Sequence, residues 1–156
     1  MPEFCTPALG NRPNIVTIDT VIPDNASGVL YKLGSNSGDL TCFAEDGILC
    51  YEYNLFIIER TKIRAKEKLP TGRVKIEIRT SYVAPRPGGP LKVSMVVGGK
   101  TVAEGEVPIG APLLFTANGC LDIGIALGSP VSLDYADKAP FKFNGKIEQV
   151  HVKYVT

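Results

Sequence analysis

The sequence predicts an all-β fold, an antiparallel β-sandwich or jelly roll, and three observations predict it. Apolar residues recur at a period of two and almost nowhere at three and four, which marks half-buried strands rather than helices. Turn-forming clusters close the runs, at Pro23-Asp24-Asn25, Asp46-Gly47, Pro70-Thr71-Gly72, Asn118-Gly119 and Asn144-Gly145. No stretch reads as a long helix, and many short strands at this spacing belong to sandwiches and jelly rolls.

The first strand runs from Ile15 to Ile22, with Val16, Ile18 and Ile22 inward and Thr17 and Asp19 outward. Short strands follow at Gly28 to Leu33, Leu40 to Ala44, Ile48 to Tyr53 and Phe56 to Arg64. Val74, Ile76 and Ile78 then alternate with Lys75, Glu77 and Arg79. Pro85, Pro87, Gly88, Gly89 and Pro90 make one long connection, too short to link two domains. Val93, Met95 and Val97 resume the alternation, and Gly98-Gly99 forms a tight hairpin turn into Thr101, Val102 and Ala103. The last strand sets Val150, Val152 and Tyr154 on one face against Gln149, His151 and Lys153 on the other. Residues 1–10 read as a disordered or cloning-derived segment and 11–156 as a single β-sandwich domain without internal repeats.

Composition removes several functions. With 44% hydrophobic and 21% charged residues the chain folds rather than staying disordered. Seventeen Lys and Arg against sixteen Asp and Glu give +1, no basis for binding a phosphate backbone or anionic lipid. No apolar run approaches the roughly 20 residues of a bilayer span. Met1-Pro2-Glu3-Phe4 lacks the features of a signal peptide. The expectation is a soluble chain, cytoplasmic by default, with neither nucleic acid nor membrane as partner. A single histidine, His151, excludes two-histidine zinc sites, and four cysteines without a CxxC pair argue against structural zinc. No cofactor is expected.

Five constellations remain. Cys42 and Cys50 bracket Glu45-Asp46-Gly47. A three-residue loop would set the thiols opposite one another at a separation that a disulfide tolerates, whereas a two-residue loop would put them on opposite faces. Two free buried thiols are the favoured reading, since nothing indicates export. Asp122, Asp134 and Asp137 are candidate calcium ligands whose spacing fits no compact calcium loop. Tyr51 and Tyr53 share a strand face, either as a stacking platform for a sugar or, more commonly for tyrosine, as half-buried packing. Arg60, Lys62, Arg64, Lys66 and Lys68 place a basic stripe on one side of a strand, a guard against edge-to-edge aggregation or an anion site for a sulfated or acidic glycan. Glu52 and Glu59 could pair as acid and base only through an intervening turn at Asn54-Leu55.

From about Asn11 to Val155 the chain resembles the C-terminal β-sandwich domain of large bacterial arylsulfatases. The matching stretches are Ser27-Gly28-Val29-Leu30-Tyr31, Asp46-Gly47 with Tyr51-Glu52-Tyr53-Asn54, Glu59-Arg60, and Leu69-Pro70-Thr71-Gly72. They continue through Gly98-Gly99-Lys100 with Val102-Ala103-Glu104-Gly105, and Leu121-Asp122-Ile123-Gly124. Gly128-Ser129-Pro130-Val131-Ser132 with Asp134-Tyr135 and Phe143-Asn144-Gly145-Lys146-Ile147-Glu148 complete them. Each is a generic turn or strand, and the specificity lies in their succession. Ile57 stands where the family usually has glycine, and the Cys42/Cys50 pair departs from its pattern. The resemblance implies a non-catalytic, concanavalin-like sandwich separated from its catalytic domain. Phe4-Cys5-Thr6-Pro7 looks like the start of the sulfatase signature, but Leu9 stands where that chemistry needs arginine.

The expected function is therefore a non-enzymatic accessory or interaction module whose partner is a protein or a glycan. The alternative is a lectin-like carbohydrate binder using Tyr51, Tyr53, Arg60, Asp134 and Tyr135, which requires those aromatics to be exposed on a shared surface. A homodimer through an edge strand or a sheet face is expected.

Overall fold

The computed structural model describes residues 5–10, 12–35, 38–55, 58–84, 86–111, 120–127, 131–138 and 140–155. Residues 1–4, Asn11, Ile57, Pro85, Asn118-Gly119 and Gly128-Ser129-Pro130, all used in the sequence reading, lie outside them.

Alternation becomes two five-stranded antiparallel sheets. Sheet I has the order β10-β1-β6-β7-β8, built from β10 (Lys146–Tyr154), β1 (Asn14–Ile22), β6 (Gly72–Tyr82), β7 (Leu91–Val97) and β8 (Lys100–Val107). Sheet II has the order β5-β4-β3-β2-β9, from β5 (Glu59–Lys68), β4 (Ile48–Leu55), β3 (Gly38–Glu45), β2 (Gly28–Ser35) and β9 (Cys120–Ile123). The antiparallel sandwich predicted from alternation is the fold that forms. In β1 every second residue is buried, Val16, Ile18 and Ile22 among them, as the two-residue period requires. β9 carries no alternation signal in the sequence, because four residues are too few to display a period.

The core lies between the sheets. Sheet I contributes Val16, Ile18, Ile76, Ile78, Val93 and Met95, and sheet II contributes Leu33, Leu40, Cys42, Leu49, Tyr51 and Tyr53. The N-terminal segment also takes part. Leu9 is buried in this core, and the Tyr53 hydroxyl donates to the Gly10 carbonyl at 2.8 Å while accepting from the Ala111 N–H at 2.7 Å. Within the segment 1–10, the described residues thus include a leucine in the core and a carbonyl bonded to a buried tyrosine hydroxyl.

Two glycines set the path of sheet II. Asp46 and Gly47 both have positive φ, 50° and 83°, which makes the β3–β4 connection a two-residue type I′ turn closing at Glu45 and Ile48. Gly28 has φ 121° and lies against the backbone of Lys142 and Phe143, where any side chain would collide. That approach lets the Val29 N–H donate to the Phe141 carbonyl at 2.9 Å and brings the described parts of the run 124–143 onto the outer face of sheet II.

Candidate functional site

The outer face of sheet II carries a polar row in register across all five strands. Asp122 on β9 pairs with Lys32 on β2, which pairs with Thr41 on β3, then Glu52 on β4, then Lys62 on β5. These positions alternate with the core-facing row Tyr31, Cys42, Tyr51, Ile63, which ends at the exposed Ile123 on the edge strand β9, so one residue of offset separates a polar layer from the apolar core.

A sheet face of this kind is ordinarily wet, yet Lys32, Thr41 and Glu52 are each about 1% exposed or less. The described parts of the run 124–143 cover them. Phe43 on β3 meets the Tyr135 ring edge-on at 5.1 Å between centroids, and Tyr135 stacks on Phe141 at 5.4 Å. Under this aromatic cap most of the polar row is bonded to the covering chain or to a neighbouring strand. Lys32 Nζ donates to the Leu127 and Gly34 carbonyls at 2.6 and 3.0 Å and sits 3.3 Å from Asp122 Oδ2, which also accepts the Leu127 N–H at 2.9 Å. The Tyr135 hydroxyl donates to Thr41 Oγ1 at 3.1 Å. Arg60 Nη1 donates to Glu52 Oε1 at 3.0 Å and to the Val131 carbonyl at 3.1 Å. Lys62 Nζ donates to Asp134 Oδ1 at 2.7 Å, and that bond raises the Lys62 pKa. Burial raises the Tyr135 hydroxyl, with its own hydrogen bonds opposing. Glu52 Oε2 is buried without a hydrogen-bond partner, at the wall of a 30 Å³ cavity. That volume suits one water molecule.

Of the five residues named as sugar contacts, Arg60, Asp134 and Tyr135 do come together here, joined by Glu52, Lys62 and Thr41. Tyr51 and Tyr53 do not. Both are 1% exposed on the opposite face, inside the core, so the stacking platform is corrected to packing. Tyr135 is likewise fully buried and presents no ring to a ligand. Burial pushes the Tyr51 and Tyr31 hydroxyls well above their ordinary range. The calcium set is dispersed as well. Asp122 is engaged by Lys32 and Asp134 by Lys62, two separate ion pairs, while Asp137 is exposed. Glu52 and Glu59 keep opposite faces, since Glu59 pairs with the core-facing position of Leu55.

Lys32, Thr41 and the cover were missed by sequence reasoning. Lys32 between Tyr31 and Leu33 is a normal outward residue of a half-buried strand, and no local signal announces that a run 95 residues downstream will bury it.

No protein-family model matches the chain, and no curated protein matches it. The resemblance to the arylsulfatase-attached sandwich accordingly draws no support from either comparison. Solved structures do match. Laminin α1 domains LG4-5 from mouse align over 100% of this chain and 41% of that one, at 16% identity and a TM-score of 0.66. This chain thus spans less than half of that laminin chain. The IT-sialidase CBM40 of Ruminococcus gnavus, bound to α2,3 sialyllactose, aligns over 94% of this chain and 79% of that one, at 10% identity and a TM-score of 0.65. A heptameric SAP-like pentraxin from Limulus polyphemus aligns over 95% and 69%, at 13% identity and a TM-score of 0.53. The fold is a concanavalin-like jelly roll.

Within this jelly roll the four cysteines divide into two classes. Cys42 faces the core and pairs with Tyr51, whereas Cys50 pairs with Phe43 on the covered outer face. The two-residue turn puts them on opposite sides of the sheet, so the candidate disulfide Cys42–Cys50 does not form and both are free thiols. Burial pushes the Cys50 thiol up to about 11, partly offset by Arg64, and lifts Cys42 further still. Cys5 and Cys120 are exposed. A disulfide-exchange reagent at pH 8 should therefore label two thiols rapidly and four only after denaturation; mass spectrometry showing Cys42 or Cys50 labelled first would contradict this placement. Because the folded Cys50 value lies above the ordinary 9.0, its contribution to stability is complete below pH 9 and is lost as pH rises from there through 11.

Proposed function

We propose that this chain is a non-catalytic, glycan-binding β-sandwich module. The observation that carries the reading is the likeness to a jelly roll that is bound to sialyllactose, the CBM40 of the Ruminococcus sialidase, over most of both chains. The site chemistry agrees with binding rather than turnover. Glu52 and Glu59 stay on opposite faces, and the buried polar row is locked into ion pairs and hydrogen bonds under its cover. Such a layer orients the covering run and holds the edge of sheet II rigid. The accessory-module reading and the glycan-binding reading agree on the absence of catalysis and part on the partner.

A glycan array probed with folded protein, with calcium and with chelator, tests this. Reproducible binding that persists in chelator is expected, because Asp122 and Asp134 are each engaged by a lysine. Silence across the array would overturn the glycan reading in favour of a protein partner.

A further inference from the structure

The basic stripe on β5 splits into two halves that behave differently. Arg60 and Lys62 are neutralised by Glu52 and Asp134. Arg64, Lys66 and Lys68 are all exposed, and among the described residues none has a carboxylate within ion-pair distance. The nearby acids are committed elsewhere: Glu45 to Lys138 at 3.5 Å, Glu67 to Lys100 at 3.9 Å, Glu52 to Arg60 and Asp134 to Lys62. The open face of sheet I is arranged otherwise, with Lys75 facing Asp19, Arg79 bound to Glu77 and Lys92 facing Glu104. Edge protection explains charge on an edge strand. It does not explain three successive outward cations whose mutual repulsion no neighbouring carboxylate relieves.

Resting on the glycan-binding reading, we propose that the ligand is a polyanionic oligosaccharide, sulfated or rich in uronate, laid along the outer side of β5. Arg64 pairs with Cys50 and Lys68 with Ile48, two residues apart on β4, so a bulge in β5 gathers Arg64, Lys66 and Lys68 into one cluster of three cations, which matches charges repeated along a chain rather than one terminal carboxylate. At the Lys68 end the stripe opens into a cleft of about 240 Å³ between β5 and β8, with Ala65, Leu69, Val97 and Val102 as floor and Lys68, Lys100 and Glu67 at the rim, Glu67 lying against Lys100. An apolar floor beside the Lys68 ammonium suits a sugar ring carrying an acidic substituent. The overall charge of +1 conceals this local field, since pairing cancels charge elsewhere and leaves it uncancelled here.

Isothermal titration decides it, using a heparin hexasaccharide, 3′-sialyllactose, neutral maltohexaose and a single-stranded oligodeoxynucleotide of equal charge. The hexasaccharide is expected to bind most tightly, with affinity falling about 20-fold between 50 and 200 mM salt for three neutralised charges. Arg64→Gln/Lys66→Gln should weaken it about tenfold. Lys66→Gln/Lys68→Gln serves as a second variant, and Lys146→Gln/Lys153→Gln on β10 should leave affinity unchanged. Neutral sugar bound equally well by wild type and by Arg64→Gln/Lys66→Gln would overturn the polyanion proposal while the glycan reading stands. Sialyllactose binding as tightly as the hexasaccharide would overturn the repeated-charge argument, and the oligodeoxynucleotide doing so would make the stripe a nucleic-acid surface. No binding by any sugar would remove both readings.

Discussion

Tyr51→Ala is expected to lower the melting temperature by roughly 10 °C or more, the consequence of about 3–5 kcal/mol lost when a buried ring is deleted. Tyr51 lies in the register row Ile123, Tyr31, Cys42, Tyr51, Ile63, with the second sheet packed over it and its side chain fully buried. Truncation leaves a void that strands on either side cannot close without breaking ladder pairing. Tyr51→Phe keeps the ring and should retain most of the stability, which separates packing from any role of the hydroxyl. Thermal unfolding followed by circular dichroism reads both variants. The result bears on function, since glycan binding lost in Tyr51→Ala would report an unfolded protein and not a missing contact. A Tyr51→Ala variant that melts like wild type yet fails to bind sugar would show the ring exposed at a binding surface and overturn its assignment to the core.

The second large effect is expected at Lys32. Lys32→Met should destabilise the protein by about 3–5 kcal/mol, because it strands a buried carboxylate at Asp122 and removes the donor that holds the Leu127 carbonyl. Asp122→Asn alone leaves the ammonium buried opposite a neutral amide and should cost less, since the lysine keeps its two carbonyl acceptors. Combining the two should cost clearly less than the sum, as expected for directly interacting groups. Denaturant unfolding of the four proteins completes the cycle. Strict additivity would show that the pair is solvated and that the run 124–143 does not seal this face.

The covering run explains how far sequence reading could go. Val16, Ile18 and Ile22 declare an inward face by alternation alone, and Gly98-Gly99 declares a hairpin because both positions require positive φ, as the observed 58° and 83° confirm. Asp46-Gly47 carries the same signal. Giving weight to that dipeptide would have selected the two-residue turn, and with it free cysteines on opposite faces. The stacking platform of Tyr51 and Tyr53 is corrected for a different reason. Alternation correctly put Tyr51 and Tyr53 on one face and Glu52 on the other, but nothing local says which face meets the second sheet.

Strand positions, their faces, the hairpin turns and the jelly-roll class were thus written in the sequence, because each follows from interactions between residues close along the chain. Tertiary structure alone decided that Tyr51 and Tyr53 point into the core, that Lys32, Thr41 and Glu52 are buried beneath the described parts of the run 124–143, and that the Arg64–Lys66–Lys68 half of the basic stripe stays open. Those outcomes depend on contacts across 70 to 95 residues of sequence, such as Lys62 with Asp134 and Lys32 with Leu127. A residue's period fixes its face; only the packing partner decides whether that face stays wet.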